Sequence, residues 1–157
     1  MQQLDELKLF IGSSNPLLGE EICEQLNIES GKMEIKKFAS GETYVRFLEN
    51  IRAKDVFLIQ TAVEPINDNL MELLIMIDAA KRASAGRITV VMPHFFYARQ
   101  DRKAASREPI TAKLTADLLE KAGASRIITL EVHSDQIPGF FDIPFDNLAP
   151  KKVFVKK

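Results

Sequence analysis

The chain has 157 residues, 46% of them hydrophobic and 27% charged, which is the composition of an ordinary soluble globular domain. Its 21 basic and 22 acidic side chains give a formal net charge of -1, which excludes a broadly basic nucleic-acid coat and a polybasic membrane-binding protein. Cys23 is the only cysteine, so an intramolecular disulfide and a cysteine-based zinc cluster are excluded, and we expect a cytoplasmic protein.

Short apolar runs alternate with helical patterns along the chain. The apolar and period-two runs predict strands at residues 7–11, 33–38, 42–48, 56–61, 88–92 and 127–132. Helical spacing predicts helices at residues 17–26, 69–84 and 110–122. This order favours an α/β fold with a mostly parallel sheet flanked by helices and a short antiparallel hairpin near residues 33–48. We expect residues 1–150 to form one domain and residues 151–157 to begin a further domain or a tail.

The helix predicted at residues 69–84 has an unusual composition. Asn67, Asp68 and Asn69 could each cap its first turn, and Asn69 with Glu72 has capping-box spacing. Apolar residues lie on nearly all of its sides, so one face would cover the sheet and the rest needs a second buried contact. We expect a subunit interface there, with a larger intramolecular core as the alternative.

Ligands of open α/β sheets bind beyond the carboxyl ends of the strands, and polar clusters follow three predicted strands. The first cluster, residues 38–42, contains Phe38, Ser40, Gly41 and Glu42. Gly41 suits a simple hairpin turn. The alternative is a nucleobase site, in which Phe38 stacks on the base and Ser40 or Glu42 pairs with its polar edge.

The second cluster is a basic loop that follows the strand at residues 88–92. It carries Arg99, Arg102, Lys103 and Arg107, with Asp101 as the one acidic residue between the first and last of these. Arginine presents a planar fork of donors that suits phosphate oxygens. The loop is therefore either a solvated basic loop or a polyphosphate-binding segment.

The third cluster, residues 131–136, places His133 at the end of a predicted strand. A neutral imidazole there could ligate a metal ion or contact a phosphate, and it could equally be a structural histidine. No P-loop lysine motif is present, so ATP would have to be bound by another design.

Four stretches carry a resemblance to a known family: FASGETYVRF, NDNLMELLIMIDAAKRASAGRITVVMP, YARQDRK followed by REPITAK, and VHSDQIPGFFDIPFDNL. Together, over residues 10–148, they resemble the N-terminal half of the ribose-phosphate pyrophosphokinases, also called phosphoribosyl-pyrophosphate synthetases. The resemblance implies a phosphoribosyltransferase-like domain and an oligomeric enzyme. It also implies transfer of diphosphate from ATP, with Mg²⁺, to the 1-hydroxyl of ribose 5-phosphate, which gives phosphoribosyl pyrophosphate and AMP.

The resemblance also implies roles for individual residues. The residues matching the family's ATP-binding positions are Phe38, Ser40, Glu42, Arg99, Gln100 and His133. His133 also matches a metal-binding position, and the first three belong to a neighbouring subunit's site in the family. The residues matching a regulatory phosphate or nucleotide site are Arg52, Arg102, Lys103, Arg107, Asp146 and Asn147.

The sequence departs from the family pattern in length and at several positions. The family's chain is about twice as long, and its second half carries the ribose 5-phosphate loop and the flexible catalytic loop. Ser40, His94, Phe96 and Glu131 stand where other residues are frequent. We therefore expect the chain to be inactive alone. The alternatives are a non-catalytic, synthetase-associated regulatory subunit and an unrelated phosphate-binding module.

Overall fold

The computed structural model describes residues 5–150, and the predicted further segment at 151–157 lies outside the described residues. Five strands form one sheet in the order β1-β4-β5-β6-β7, and every neighbouring pair is parallel. These strands are β1 (Asp5–Ile11), β4 (Lys54–Ile59), β5 (Arg87–Val91), β6 (Arg126–Thr129) and β7 (Phe145–Asn147). The other two strands, β2 (Met33–Lys37) and β3 (Thr43–Phe47), pair with each other as an antiparallel hairpin. The predicted parallel sheet and hairpin are both confirmed.

Within residues 5–150, three helices and one short 3₁₀ turn connect the strands. They are α1 (Pro16–Leu26), α2 (Ile66–Arg82), α3 (Thr111–Ala122) and the 3₁₀ turn Ile137–Phe140. The side chain of Asn15 caps α1 by accepting a hydrogen bond from the Leu18 N–H at 3.2 Å. Gly123 ends α3 with a φ of 128°, as its position after the helical pattern predicts.

The two faces of the sheet are covered differently. On one face, Val56, Leu58 and Val90 belong to the main core together with buried residues of α2 and α3. On the other face, Leu9 and Ile59 pack with Cys23 of α1 in a smaller cluster. Because β4 and β5 are buried on both faces, their sequences are nearly continuous apolar runs.

The second buried contact of α2 is intramolecular, because β3 of the hairpin packs against the helix. Leu70 and Leu74 are half-buried against the same core that contains Val45 of β3. The larger-core alternative therefore accounts for these apolar residues without a second subunit. Met71 is the large apolar side chain of α2 that stays exposed, at 54%. The predicted homo-oligomer remains a prediction.

Most boundaries differ from the prediction by about one or two residues, and two differ by more. Helix α2 begins at Ile66, with Pro65 at the N-cap and no side-chain cap, so the capping box predicted at Asn69 and Glu72 is wrong. Both side chains have more distant partners: the Asn69 amide donates to the Val63 carbonyl at 2.8 Å, and Glu72 accepts from the Ser13 N–H at 2.8 Å. Strand β6 ends at Thr129, short of the predicted residue 132, and only a bridge between His94 and Glu131 continues its pairing with the β5 side.

No helix within residues 5–150 combines the length and the apolar character needed to cross a membrane.

Candidate functional site

The loops after β5 and β6 meet at the carboxyl edge of the sheet. Because the strands are parallel, these two loops leave the sheet at the same edge. The bridge between His94 and Glu131 extends the pairing beyond both strands. The loop after β4 joins them, since Thr61 Oγ1 accepts from the His94 N–H at 3.0 Å and the Ala62 N–H donates to the His94 carbonyl at 3.2 Å.

Two adjoining clefts lie among these loops. The Arg99–His133 cleft has a volume of about 220 Å³, and its lining residues include His94, Arg99, Glu131 and His133. The Tyr97 cleft, of about 390 Å³, is lined by residues that include Asn67, Tyr97, Phe95 and Gln100. His94, Ala98 and Arg99 line both clefts. The structure thus brings together three of the predicted ATP-binding residues, namely Arg99, Gln100 and His133.

Buried aromatic rings fix the start of the loop that carries Arg99 and Gln100. Phe95 and Phe96 are both 0% exposed, and the Phe95 ring packs edge-on against Phe141 with centroids 5.8 Å apart. Phe96, one of the departures from the family pattern, therefore lies in the core and adds no bulk to the cleft. Tyr97 then turns the backbone with a φ of 56°, and its hydroxyl is hydrogen-bonded to Asn67 Oδ1.

Gln100 is held from two sides. Its N–H donates to the Tyr97 carbonyl at 2.9 Å, and its carbonyl accepts from the Ala112 N–H at 3.1 Å. Its side-chain Oε1 accepts from Thr111 Oγ1 at 2.5 Å. The loop is therefore tied to the first turn of α3 at the residue next to Arg99.

Asp101 links this loop to the one that carries His133. Gln136 Nε2 donates to the Asp101 carbonyl at 2.9 Å and to Asp101 Oδ2 at 2.7 Å. The Ser134 side chain and the Gln136 amide act as hydrogen-bond donors that lower the pKa of Asp101, with a smaller electrostatic contribution from His133, although burial opposes the shift. Asp101 is thus a carboxylate stabilised mainly by donors from the other loop.

The hairpin tip carries the remaining predicted ATP-binding residues. The Phe38 N–H donates to the Glu42 carbonyl at 2.9 Å, and Gly41 adopts a φ of 89°, so residues 38–42 do form a hairpin turn. Ser40 Oγ donates to Glu42 Oε2 at 2.6 Å, and Phe38 is 52% exposed. Within residues 5–150, neither cleft has a lining residue from this tip.

The six residues of the predicted regulatory site are dispersed in this chain. Arg52 lies in the turn before β4, at the amino edge of the sheet, whereas the exposed Arg102, Lys103 and Arg107 follow β5 at the carboxyl edge. Asp146 of β7 forms an ion pair with Arg126 at 2.9 Å. Asn147 Oδ1 accepts from the Ala149 N–H at 3.4 Å. Arg52 is therefore separated from the basic loop within one chain, and the regulatory role stays a prediction.

Metal-binding capacity at the cleft is small. In the part of the chain that the structure describes, no group of three His, Cys, Asp or Glu side chains is arranged to hold a metal ion. Mg²⁺ usually takes one or two protein ligands and completes its shell with phosphate oxygens and water. The residues present fit an ion of that kind, which would come with a nucleotide beside His133, and they do not fit a metal held by the protein alone.

Sequence reasoning missed three residues that build the site: Asn67, Asp101 and Gln136. Asp101 stands inside the quoted stretch YARQDRK, but its pairing with Gln136 joins residues 35 positions apart. The available signal was the position of both residues in loops that follow adjacent strands of a parallel sheet.

A family model described as the N-terminal domain of ribose phosphate pyrophosphokinase matches residues 7–123. The chain belongs to this family. A ribose-phosphate pyrophosphokinase of Bacillus caldolyticus is 59% identical over 143 residues, which cover 91% of this chain and 45% of that protein. One from Clostridium acetobutylicum is 55% identical over 150 residues, which cover 96% of this chain and 47% of that protein.

A solved structure of the family has the same fold. The phosphoribosylpyrophosphate synthetase from Mycobacterium smegmatis superposes with a TM-score of 0.93 at 47% identity, covering 96% of this chain and 50% of that chain. This agreement confirms the predicted phosphoribosyltransferase-like architecture and the resemblance read from the four sequence stretches. The chain spans about half the length of the ribose-phosphate pyrophosphokinases that it matches.

Proposed function

We propose that this chain supplies the ATP-binding half of a cytoplasmic ribose-phosphate diphosphokinase. The reaction transfers diphosphate from Mg-ATP to the 1-hydroxyl of ribose 5-phosphate and yields phosphoribosyl pyrophosphate and AMP. The observation that carries the proposal is the convergence of Arg99 and His133 on one cleft at the carboxyl edge of the sheet. Membership of the family supports the reaction class.

The cleft residues suit the phosphates of a nucleotide. Arg99 offers a planar fork of donors that can hold two phosphate oxygens, and Gln100 lines the adjoining cleft beside it. His133 would hold a Mg²⁺ ion, which supplies neutralisation of the phosphate charge when bound. Phosphoryl-transfer catalysis depends mainly on positioning and on electrostatic stabilisation, and fixed cationic side chains provide both.

The hairpin tip would recognise adenine in the cleft of a second copy of the chain. Phe38 offers a half-exposed ring for stacking, and Ser40 and Glu42 offer polar atoms beside it. The tip lies outside the clefts of its own chain among residues 5–150, so a site that uses it requires another subunit. A homo-oligomer is therefore part of the proposal, with ATP as its nucleotide partner.

Ribose 5-phosphate would be bound mainly by residues beyond this half, so we expect the 157-residue chain alone to form no phosphoribosyl pyrophosphate. A second candidate is a non-catalytic subunit that associates with an active synthetase. Two of the departures from the family pattern, His94 and Glu131, favour it because both line the Arg99–His133 cleft. Mixing the chain with a full-length synthetase and measuring particle mass and rate tests this candidate, and no change in either quantity excludes it.

Titration calorimetry with Mg-ATP tests the main proposal. The wild-type chain should bind, and Arg99→Ala should weaken binding by about tenfold to a hundredfold, since a hydrogen bond to a charged group contributes about 1.5–3 kcal/mol. Arg82→Ala is the matched control, because Arg82 ends α2 ahead of β5 and so lies toward the opposite edge of the sheet. Absence of binding by a folded wild-type chain, or equal losses in both variants, would contradict the proposal.

A further inference from the structure

Two loops carry the residues that the proposed function assigns to the nucleotide phosphates, and each loop comes from a different strand. Arg99 follows β5 and His133 follows β6, and both side chains are exposed. The bridge between His94 and Glu131 joins the loops at their base. A second link is needed to keep the outer parts of the loops at a fixed separation, because exposed loops are otherwise the mobile parts of a fold.

Asp101 and Gln136 supply that second link. The Gln136 amide donates to both the carbonyl and the carboxylate of Asp101, at 2.9 and 2.7 Å. Ser134 Oγ accepts from the Gln136 N–H at 3.3 Å and so helps to hold the residue that donates to Asp101. Asp101 is only 8% exposed although residues 102–109 are all exposed. Burying a carboxylate at this point costs free energy unless these donors remain in place.

The link is adjacent in sequence to the cleft residues on both sides. Asp101 directly follows Gln100 and Ser134 directly follows His133. Gln100 is tied in addition to α3 through Ala112 and Thr111. A displacement of either partner would therefore be passed to the neighbouring cleft residue through a single peptide unit, ~3.8 Å between neighbouring Cα atoms.

We propose that Asp101, Ser134 and Gln136 form a clasp that fixes Arg99 and His133 at the separation at which both reach the phosphates of one nucleotide. The proposal rests on the proposed function and adds three positioning residues to it. None of the three lines either cleft. Their effect on binding comes from holding the loops in the bound arrangement beforehand, which removes the entropic cost of ordering them.

The principal test is Mg-ATP binding by Gln136→Met, which keeps the length of the side chain and removes its donors. We expect about tenfold weaker binding at a temperature where the variant is folded, and a lower melting temperature, because the buried Asp101 carboxylate loses the Gln136 donor. Gln25→Met on the exposed surface of α1 is the matched control and should bind as the wild type does. Ser134→Ala is the second variant to use if Gln136→Met does not unfold cooperatively.

A double-mutant cycle separates positioning from a purely structural role. In the wild-type background, Arg99→Ala and His133→Ala should have non-additive effects on Mg-ATP affinity, because both residues engage one ligand. In the Gln136→Met background the two effects should become additive. A structural role alone would lower stability and leave the coupling intact.

Exchanging the carboxylate and the amide between positions 101 and 136 should restore Mg-ATP affinity. Gln136→Glu alone sets two carboxylates against each other and should weaken binding at least as much as Gln136→Met. With Asp101→Asn added, the asparagine amide can donate to the new glutamate. The double variant should recover most of the lost affinity. Failure of rescue together with unchanged binding in Gln136→Met would overturn the clasp.

The outcomes distinguish the clasp from the proposed function. If the wild type binds Mg-ATP and the clasp variants bind equally well, the clasp is wrong and the proposed function stands. If the folded wild type does not bind, the proposed function fails. Hydrogen exchange then decides whether the link exists. A link predicts faster exchange at the Gln100 and Ile137 amides in Gln136→Met than in Gln25→Met, and equal rates would contradict it.

Discussion

The Arg99–His133 cleft and the hairpin tip carry the two parts of the predicted ATP site, and they are built in different ways. The loop that lines the cleft begins at Phe95 and Phe96, whose rings are fully buried. A hydrogen bond from Gln136 to Asp101 joins this loop to the loop after β6. The tip is held by contacts within residues 38–44, including the edge-on packing of Phe38 and Tyr44 with centroids 5.8 Å apart. Contacts within one chain thus fix the cleft, whereas the Phe38 ring at the tip stays half-exposed.

The largest expected effect is on the free energy of unfolding. It tests whether the ring beneath the cleft is part of the core and the ring at the tip is not. Phe95→Ala should lower the free energy of unfolding by about 3–5 kcal/mol, because it removes a buried ring from a close-packed site. Phe38→Ala should change it by less than about 0.5 kcal/mol, because the ring is half-exposed at a turn. Urea denaturation monitored by circular dichroism measures both. Similar losses in the two variants would show that the tip is as integral to the core as the cleft.

The next largest effect is the loss of ATP affinity when a chelator removes Mg²⁺, which should depend on the cleft and not on the tip. We expect ATP affinity to fall by at least about tenfold, or ~1.4 kcal/mol, because the phosphate charge is then less neutralised beside His133. In His133→Ala the chelator should have a smaller effect, and in Phe38→Ala the effect should be as large as in the wild type. Calorimetry with and without chelator gives these ratios. An equal chelator effect in all three proteins would show that His133 does not hold the metal ion.

The tip should contribute to recognition of the base and the cleft to recognition of the phosphates. Phe38→Ala should weaken Mg-ATP binding by about fivefold, or ~1 kcal/mol, the low end for stacking on an aromatic side chain because this ring is half-exposed. Mg-tripolyphosphate, which has no base, should bind the wild type and Phe38→Ala with equal affinity. Phe38→Tyr keeps the ring and should restore ATP affinity. Equal losses for ATP and tripolyphosphate would mean that Phe38 acts on the phosphates.

The smallest expected effect is the contribution of Asp101 to the free energy of unfolding in acid. The pKa of Asp101 is lowered in the folded chain, chiefly by the hydrogen bond from Ser134. A carboxylate with a lowered pKa stabilises the fold above the ordinary aspartate pKa of 3.8, and this contribution is lost as the pH falls through the lower pKa of the folded state. The free energy of unfolding should therefore fall more steeply in acid for the wild type than for Asp101→Asn. Parallel pH profiles for the two proteins would contradict the assignment.

Much of the fold was predictable because local patterns decide it. Strands β4 and β5 are buried on both faces and appear in the sequence as apolar runs, and Gly41 and Gly123 occupy the turn and helix end that their backbone freedom suits. The start of α2 was not predictable. Asn69 and Glu72 bond to Val63, Ser13 and Gln60, and no local pattern distinguishes those partners from a capping box.

For the candidate site, the meeting of the loops was predictable from the sequence, and the side-chain pairing between them was not. Arg99, Gln100 and His133 follow strands of a parallel sheet, so their meeting at one edge follows from the alternation of strands and helices. The pairing of Asp101 with Gln136 depends on the side-chain directions of two loops, which become definite only when the loops are folded against each other. The separation of Arg52 from the basic loop likewise appears only once the edges of the sheet are assigned.

ATP binding at the carboxyl-edge cleft can be tested by a map of ¹H–¹⁵N chemical-shift changes on titration of the chain with Mg-ATP. We predict the largest changes at the amides of residues 98–101 and 131–134, which border the two clefts, with the turn before β4 unaffected. Changes confined to other parts of the sheet, or a folded chain whose spectrum does not respond to millimolar nucleotide, would contradict the claim that the carboxyl-edge cleft binds ATP.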